Sequence, residues 1–285
     1  MGKKMKRDTN YLLLKKKITA SDVGNFLNCE LIGSHSQKIL RFSSAEKVWD
    51  NSLVFLSKGC ILEHINSTVI TNKEEYFKIL NKTNDNTYLL VDNPRLEFAR
   101  ALQEYYSYGK SIIKIDKTAI IDKTAILQGD VYIGKNVKIQ PFVTIGTEGF
   151  GFIRDKNGEF VSFPQIGGVI IEDNVEIAVG TNVHRGTLFD TIIGKGTKIS
   201  THCNIGHNSI IGKHVFVGGK TNLGGKTSIG DYSFIGMRIV TKPGIKVGKN
   251  VMIGFASVVT KDIPDNVLVY GNPAKIIREK PEIWG

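Results

Sequence analysis

Three absences narrow the reading of this 285-residue chain. No apolar run approaches the roughly 20 residues that a bilayer-spanning helix needs. The basic opening, MGKKMKRDTNYLLLKKK, has only Leu12 to Leu14 as an apolar core, too short for a secretory signal, so a cytoplasmic chain is expected. Cysteine is scarce: Cys29, Cys60 and Cys203 show no metal-ligand spacing and read as free thiols in a reducing compartment. Also missing are a Gly-x-Gly-x-x-Gly fingerprint in a strand–helix setting, a P-loop and a nucleophile elbow, which removes the common dinucleotide, nucleoside triphosphate and α/β-hydrolase readings. The net charge of +11 is spread along the chain rather than gathered into a nucleic-acid-binding motif. It suits a small anionic partner such as a nucleotide or coenzyme A.

What the chain does have is a period of six. From Ile115 to Ile263 an aliphatic residue opens nearly every hexad, as in Ile133, Ile139 and Ile145, and later Ile193, Ile199, Ile205, Ile211, Val217 and Leu223. Thr241 departs from this within the last long run. A fixed period of six marks a parallel β-helix. Three hexads form one triangular coil, residues eighteen apart stack, and each coil completes its core from its neighbours. Four positions after the aliphatic residue stands a small or β-branched one, such as Val137, Thr197, Cys203, Ser209 or Thr227. Gly directly follows the aliphatic residue at Gly134, Gly194, Gly206, Gly212 and Gly230, where a tight turn favours a residue without Cβ. The fold class is therefore mainly β, a left-handed parallel β-helix preceded by a small α/β domain and followed by a short C-terminal tail.

The expected layout has a basic arm over 1–17, a small α/β nucleotide-binding domain over 18–110, the β-helix over 111–263 and a tail over 264–285. In the small domain Ser21 or Asp22 is expected to cap a helix ending at Leu27. Strands are expected near Leu53 to Leu56, Thr68 to Thr71 and Tyr88 to Val91, with helices over Lys73 to Lys82 and from Pro94 to about Tyr108, the latter with an apolar stripe of Leu96, Ala99, Leu102 and Tyr106. The β-helix is interrupted by a loop over 147–168, in which Asn157-Gly158 signals a hairpin. Its Phe150, Phe152, Phe160 and Phe163 read as exposed aromatics of a binding lid or subunit contact. A second, four-residue irregularity lies near Leu188 to Thr191, and the tail from Pro264 is expected to cap the open end of the prism.

Successive coils carry His184, Arg185, His202, Asn204, His207 and Asn208, an unusual concentration of histidine for this repeat. His207 plus one coil is Gly225, which would set an imidazole beside an accessible backbone N–H. One group can take a proton while the other stabilises an oxyanion, the equipment for acyl transfer. A surface histidine beside a turn glycine is the plain alternative. A zinc site of the γ-carbonic anhydrase kind, using His184, His202 and His207, is another.

At these residues the chain resembles the hexapeptide-repeat acyltransferases, and among them the UDP-3-O-acylglucosamine N-acyltransferase family of lipid A synthesis. SSAEKVWDNSLVFLSK and VDNPRLEFARAL resemble that family's uridine-binding domain. GFGF at Gly149 to Phe152, FPQIGGVIIEDNVEIAVGTNVHRGTLFDTIIG, and Ile205-Gly206-His207-Asn208 resemble its central signature and catalytic segment. The resemblance implies His207 as general base, Gly225 as oxyanion donor, Phe55 stacked on the nucleotide base, and a homotrimer; Asn208, beside His207, is the third catalytic candidate, as a residue that orients His207 or the sugar. Phe150, Phe152, His184, Arg185, His202 and Asn204 are the further substrate-binding candidates. Lys242 stands about where the family carries a second functional histidine, and Lys58 where it tends to have Asn. Gly271-Asn272-Pro273-Ala274-Lys275 replaces the family's terminal helix and resembles the tail of coenzyme A-dependent sugar acetyltransferases.

The expected function is accordingly an N-acyltransferase of surface-polysaccharide synthesis. It would move a short acyl group from acyl-CoA, a co-substrate contacted by Gly225, Lys242, Asn272 and Lys275, to the amine of a UDP- or dTDP-linked deoxyamino sugar. The lipid A enzyme with an acyl carrier protein donor is the alternative. No permanently bound cofactor, metal or nucleic acid is expected.

Overall fold

A computed structural model describes residues 14, 16–46, 48–56, 66–79, 85–107 and 109–279. Most of the basic arm, Lys58 and Cys60 lie outside the described residues. The chain divides into two compact units, one holding 110–149 and 165 onward, the other the described residues from 14 to 109 together with 150–164.

The first unit is the expected left-handed parallel β-helix. Its first face runs from Ile113–Ile115 and Val131–Ile133 to Lys246–Val247, its second from Ile120–Ile121 to Met252–Ile253, and its third from Ile126–Leu127 to Val258–Val259. Regular coils pair at a spacing of eighteen, as between Asn204 and Asn222. The spacing widens to 38 between Thr144 and Asn182 and to 22 between Asn182 and Asn204, which locates the two interruptions. Val267–Gly271 extends the second face in parallel with Met252–Ile253 and turns back through Asn272-Pro273 into the antiparallel strand Ala274–Glu279. The tail thus ends this face with a hairpin.

Each hexad position has its own physical task. The aliphatic residues from Ile133 to Val259 are buried, Ile145, Ile205 and Leu223 completely, and make one continuous core. Four positions on, a buried hydroxyl or thiol joins one coil to the next. Thr197 Oγ1 donates to Gly212 O (2.8 Å) and accepts from Val215 N (3.1 Å), and Thr221 makes the same pair with Gly236 O and Ile239 N. Cys203 takes this slot with its thiol 3.2 Å from Gly218 O, and burial raises its pKa.

The glycines after the aliphatic residues serve a different purpose from the one expected. The left-handed backbone lies two residues later, at Asn136, Asn174, His202, Asn208, His214, Lys226 and their equivalents. Gly194, Gly206, Gly212 and Gly230 are required because a Cβ would strike the backbone of the next coil; at Gly206 it would lie 2.6 Å from Gly225 N. Thr241, the departure from the aliphatic pattern, is explained too: its buried hydroxyl accepts from Gly224 N (3.0 Å) and meets Thr227 Oγ1 (2.8 Å).

The second unit is a five-stranded sheet in the order Glu30–Ile32, Thr87–Leu90, Thr68–Thr71, Ser52–Phe55, Arg41–Phe42, antiparallel at the first pair and parallel thereafter. Helix α1 (Ala20–Leu27) is capped by Thr19, two or three residues before the expected cap. Asp22 closes a capping box with Thr19, which lowers its pKa. Helix α2 is Lys73–Ile79, with residues 80–84 outside the described set, and α3 is Pro94–Tyr105, capped by Asn93. Tyr105, rather than the expected Tyr106, completes the buried stripe of α3.

The aromatic insertion contributes the hairpin Phe152–Arg154 with Phe160–Ser162, turned by left-handed Gly158. Phe163 is not an exposed lid residue. It is buried against Phe98 (ring centroids 6.0 Å) and Phe55 (6.3 Å) in this unit's core. Phe150, Phe152 and Phe160 are exposed, Phe150 at 93 %.

Candidate active site

In the β-helix, the corner that follows the third face carries His207, Asn208, Gly225, Lys226, Lys242 and Gly244. Stacking here is tight: Lys226 N donates to His207 O (2.7 Å) and Gly244 N to Gly225 O (2.9 Å). The His207 imidazole lies flat along Gly225. A Cβ there would stand 2.5 Å from Nε2 and 2.8 Å from Cδ2, so only glycine leaves room for the ring. Among the described residues no acceptor pairs with the Gly225 N–H. At the corner after the first face the equivalent amides of Lys135, Lys213 and Lys249 are taken by Asp173, Asp231 and Asp265.

Histidine over glycine is a recurrent arrangement in this prism. His202 packs on Gly180 and His214 on Gly196 with the same closeness. Both are exposed, and among the described residues neither imidazole has a hydrogen-bond partner; His214 stacks only on Tyr232, 5.4 Å between centroids. His207 differs because its ring is held. Its Nδ1 lies 2.9 Å from Asn208 Oδ1 and 3.3 Å from Thr187 Oγ1, and Thr187 Oγ1 in turn lies 3.4 Å from Oε1 of buried Gln165. Gly149 borders the other side of the ring, where a Cβ would come within 3.1 Å.

Thr187, Gln165 and Gly149 were not among the sequence candidates. They sit at the ends of the aromatic insertion and in the four-residue irregularity, where counting in eighteens gives no register. A glutamine enclosed by the apolar Phe163, Pro164 and Ile166 was the available signal.

The remaining candidates fall into separate places. His184 and Asn204 belong to a polar ladder on the third face. His184 Nε2 lies 3.0 Å from Asn204 Oδ1, Nδ1 lies 3.0 Å from Glu148 O, and Asn204 Nδ2 donates to Asn222 Oδ1 (3.0 Å). Arg185 is buried and pairs with Glu148 at 2.8 Å. His202 stands on the corner after the second face, so the three histidines of the zinc alternative are not brought together. Among the described residues no group of three His, Cys, Asp or Glu could hold a metal. Lys242 is exposed one coil beyond Gly225 on the same corner, whereas Asn272 and Lys275 belong to the second-face hairpin. In the other unit Phe55 is half-buried against Phe98, 4.9 Å between centroids, and Phe150 and Phe152 form an exposed pair at 4.8 Å. Among the described residues no helix is long and apolar enough to cross a membrane.

The chain is 40 % identical over 147 residues to UDP-3-O-acylglucosamine N-acyltransferase 2 of Rhodopseudomonas palustris. It is 38 % identical over 147 residues to UDP-3-O-acylglucosamine N-acyltransferase of Methylobacterium nodulans. Half of this chain resembles those enzymes. The matches cover 52 % of the chain and 39 % and 42 % of the relatives, so the chain spans about two-fifths of their length. Among solved structures it is similar to UDP-N-acetylglucosamine acyltransferase from Campylobacter jejuni, with 24 % identity and a TM-score of 0.45 over 58 % of this chain and 75 % of that one. No protein-family model matches the chain. Both curated relatives carry the name of the enzyme in the alternative reading, and neither name carries the coenzyme A-dependent deoxyamino-sugar reading.

Proposed function

We propose that this chain is an N-acyltransferase that moves an acyl group from a thioester to the amine of a UDP-linked amino sugar of the UDP-3-O-acylglucosamine kind. The observation that carries the reading is His207: Nε2 against Gly225, Nδ1 tied to Asn208. The neutral sugar amine attacks the thioester carbonyl, and the carbonyl oxygen becomes an oxyanion that the Gly225 N–H stabilises. His207 takes the proton released by the new C–N bond. Collapse breaks the C–S bond, and the departing thiolate receives that proton from the imidazolium, leaving amide, thiol and neutral His207.

The donor in this proposal is an acyl chain on an acyl carrier protein, as the resemblance to the UDP-3-O-acylglucosamine N-acyltransferases implies, rather than acyl-CoA at the Asn272–Lys275 hairpin. Uridine stacking on Phe55, phosphate contact by Lys242 and assembly as a trimer belong to the same proposal. The test is a radiolabelled acyl-transfer assay pairing UDP-3-O-acylglucosamine with 3-hydroxyacyl carrier protein, set against UDP- and dTDP-deoxyamino sugars with acetyl-CoA. Turnover is expected only in the first pair, with a His207→Ala loss of about 10²–10⁴-fold. Undiminished turnover by His207→Ala would sink the mechanism, and turnover confined to acetyl-CoA would sink the donor assignment.

A further inference from the structure

The four-residue interruption of the repeat does more than lengthen a coil. Gly186 is folded so tightly against Phe189 that a Cβ there would collide with the Phe189 carbonyl, and Ile166 N (2.7 Å) and Gly167 N (3.0 Å) both donate to Thr187 O. This rigid loop presents two backbone groups of opposite polarity to Asn208. Thr187 N donates to Asn208 Oδ1 (2.9 Å), and Asn208 Nδ2 donates to Phe189 O (3.0 Å). A backbone N–H cannot accept and a carbonyl cannot donate, so the pair fixes which end of the amide is oxygen. That oxygen lies 2.9 Å from His207 Nδ1. Two acceptors do not attract, so Nδ1 must carry the proton. Thr187 Oγ1 fits the same assignment: it can donate to Gln165 Oε1 and accept from Nδ1.

We propose that the loop from Arg185 to Asp190 is a positioning device that sets the tautomer of His207, with Asn208 as the relay. It holds the proton on Nδ1 and makes Nε2, the nitrogen stacked on Gly225, the one that carries the lone pair. A free neutral imidazole prefers the proton on Nε2, the arrangement in which that nitrogen can accept nothing. The loop reverses this preference before substrate arrives. Because the relay is a neutral amide rather than a carboxylate, it orients the ring without adding a negative charge that would hold it protonated. Asn208 also suits the site locally, since its backbone is left-handed (φ 59°), a conformation asparagine tolerates.

The inference rests on the acyl-transfer reading for its purpose, but its test does not. Nitrogen NMR of the imidazole in the substrate-free protein, with the His207 signals assigned by their loss in His207→Gln, reads the tautomer directly. The expected result is protonated Nδ1 and unprotonated Nε2 in the wild type, with the opposite tautomer gaining population in Asn208→Gly, a substitution that keeps the left-handed backbone. A wild-type proton on Nε2 would overturn the proposal whatever the enzyme acylates. In the transfer assay Asn208→Gly is expected to lower kcat ten- to hundredfold with KM nearly unchanged. Asn208→Asp, which stabilises the imidazolium, is expected to move the acid limb of the kcat/KM profile to higher pH. An Asn208→Asp profile that coincides with the wild type would also overturn the relay.

Discussion

Replacing Gly225 with alanine should separate catalysis from stability at this corner. The Gly225 backbone does not adopt the left-handed conformation, so alanine brings no conformational strain of its own. The added methyl would lie 2.5–2.9 Å from three atoms of the His207 ring, whereas ordinary contact needs roughly 3.5 Å. The ring must therefore move by about 1 Å, and Gly149 on its other side limits where it can go. Moving costs the Nδ1 bond to Asn208, about 1 kcal/mol of stability. A 1 Å misplacement of a catalytic group costs about 10²-fold in rate, equivalent to about 2.7 kcal/mol in the barrier. Gly224→Ala is the informative contrast. There the methyl would meet Pro243 N, Thr241 O and Lys242 C at 2.7–3.0 Å, all backbone, and no side chain can swing aside. It is expected to cost about 1–3 kcal/mol of folding stability by overpacking. Thermal melts and steady-state transfer assays on both variants provide the check. If Gly225→Ala keeps wild-type turnover with an unchanged melting temperature, the imidazole does not work from where it sits.

Two further outcomes follow from burial and hydrogen bonding elsewhere in the chain. Burial pushes the Cys29 thiol up to about 11 from the usual 9.0, with Glu97 adding to the shift. The thiolate is then about 100-fold rarer at pH 8, so in a Cys60→Ser background alkylation of Cys29 should be about 100-fold slower than that of a model thiol and should keep rising with pH until about 11, whereas the model thiol levels off near 9; rates matching the model thiol would contradict the burial. Thr197→Val keeps the shape of the side chain but strips the partner from Gly212 O and Val215 N, so it should cost about 2 kcal/mol and lower the melting temperature by several degrees. Thr197→Ser should recover most of that loss, and a valine variant as stable as wild type would show that these hydroxyls are not what joins the coils.

The prism was legible because its period is imposed by geometry. Every sixth side chain must enter a core only one residue wide, so Ile199, Ile205 and Ile211 announce themselves. The meaning of individual slots was less legible. The glycines after the aliphatic residues looked like turn formers because their need, room for the coil above, involves residues eighteen positions away. The true left-handed slot is marked by asparagines, Asn136, Asn174, Asn250 and Asn266 in a column on the corner after the first face and Asn208 in the same slot of the corner after the third. Counting in eighteens did place His207 against Gly225. The same counting also pairs His214 with Gly196, so stacking alone does not mark a site. What separates them is Thr187, Gln165 and the backbone around Phe189, which the arithmetic could not reach because they lie in the segments that break it. In the small unit the α3 stripe was read one residue late, and Phe163 passed for a lid residue because its burial depends on Phe98 and Phe55, far away in the chain.

A perfect repeat cannot hold a single active site, because every corner would offer the same groups in the same places. His202 and His214 show what a regular corner does with a histidine: the ring lies over a glycine, exposed, with no described group holding either nitrogen. To differ, a corner needs polar groups that approach the ring from the side, and a regular coil has none to give because its backbone is committed to the coils above and below. The interruptions supply them. Both ends of the aromatic insertion, Gly149 and Gln165, flank His207, and the extra residues between Arg185 and Asp190 carry Thr187 and Phe189 out to Asn208. Both irregularities therefore converge on one imidazole among the six histidines of the chain. Closing the four-residue loop to restore strict register would leave the prism's core intact and return His207 to the condition of its two neighbours, a solvated ring free to carry its proton on the wrong nitrogen.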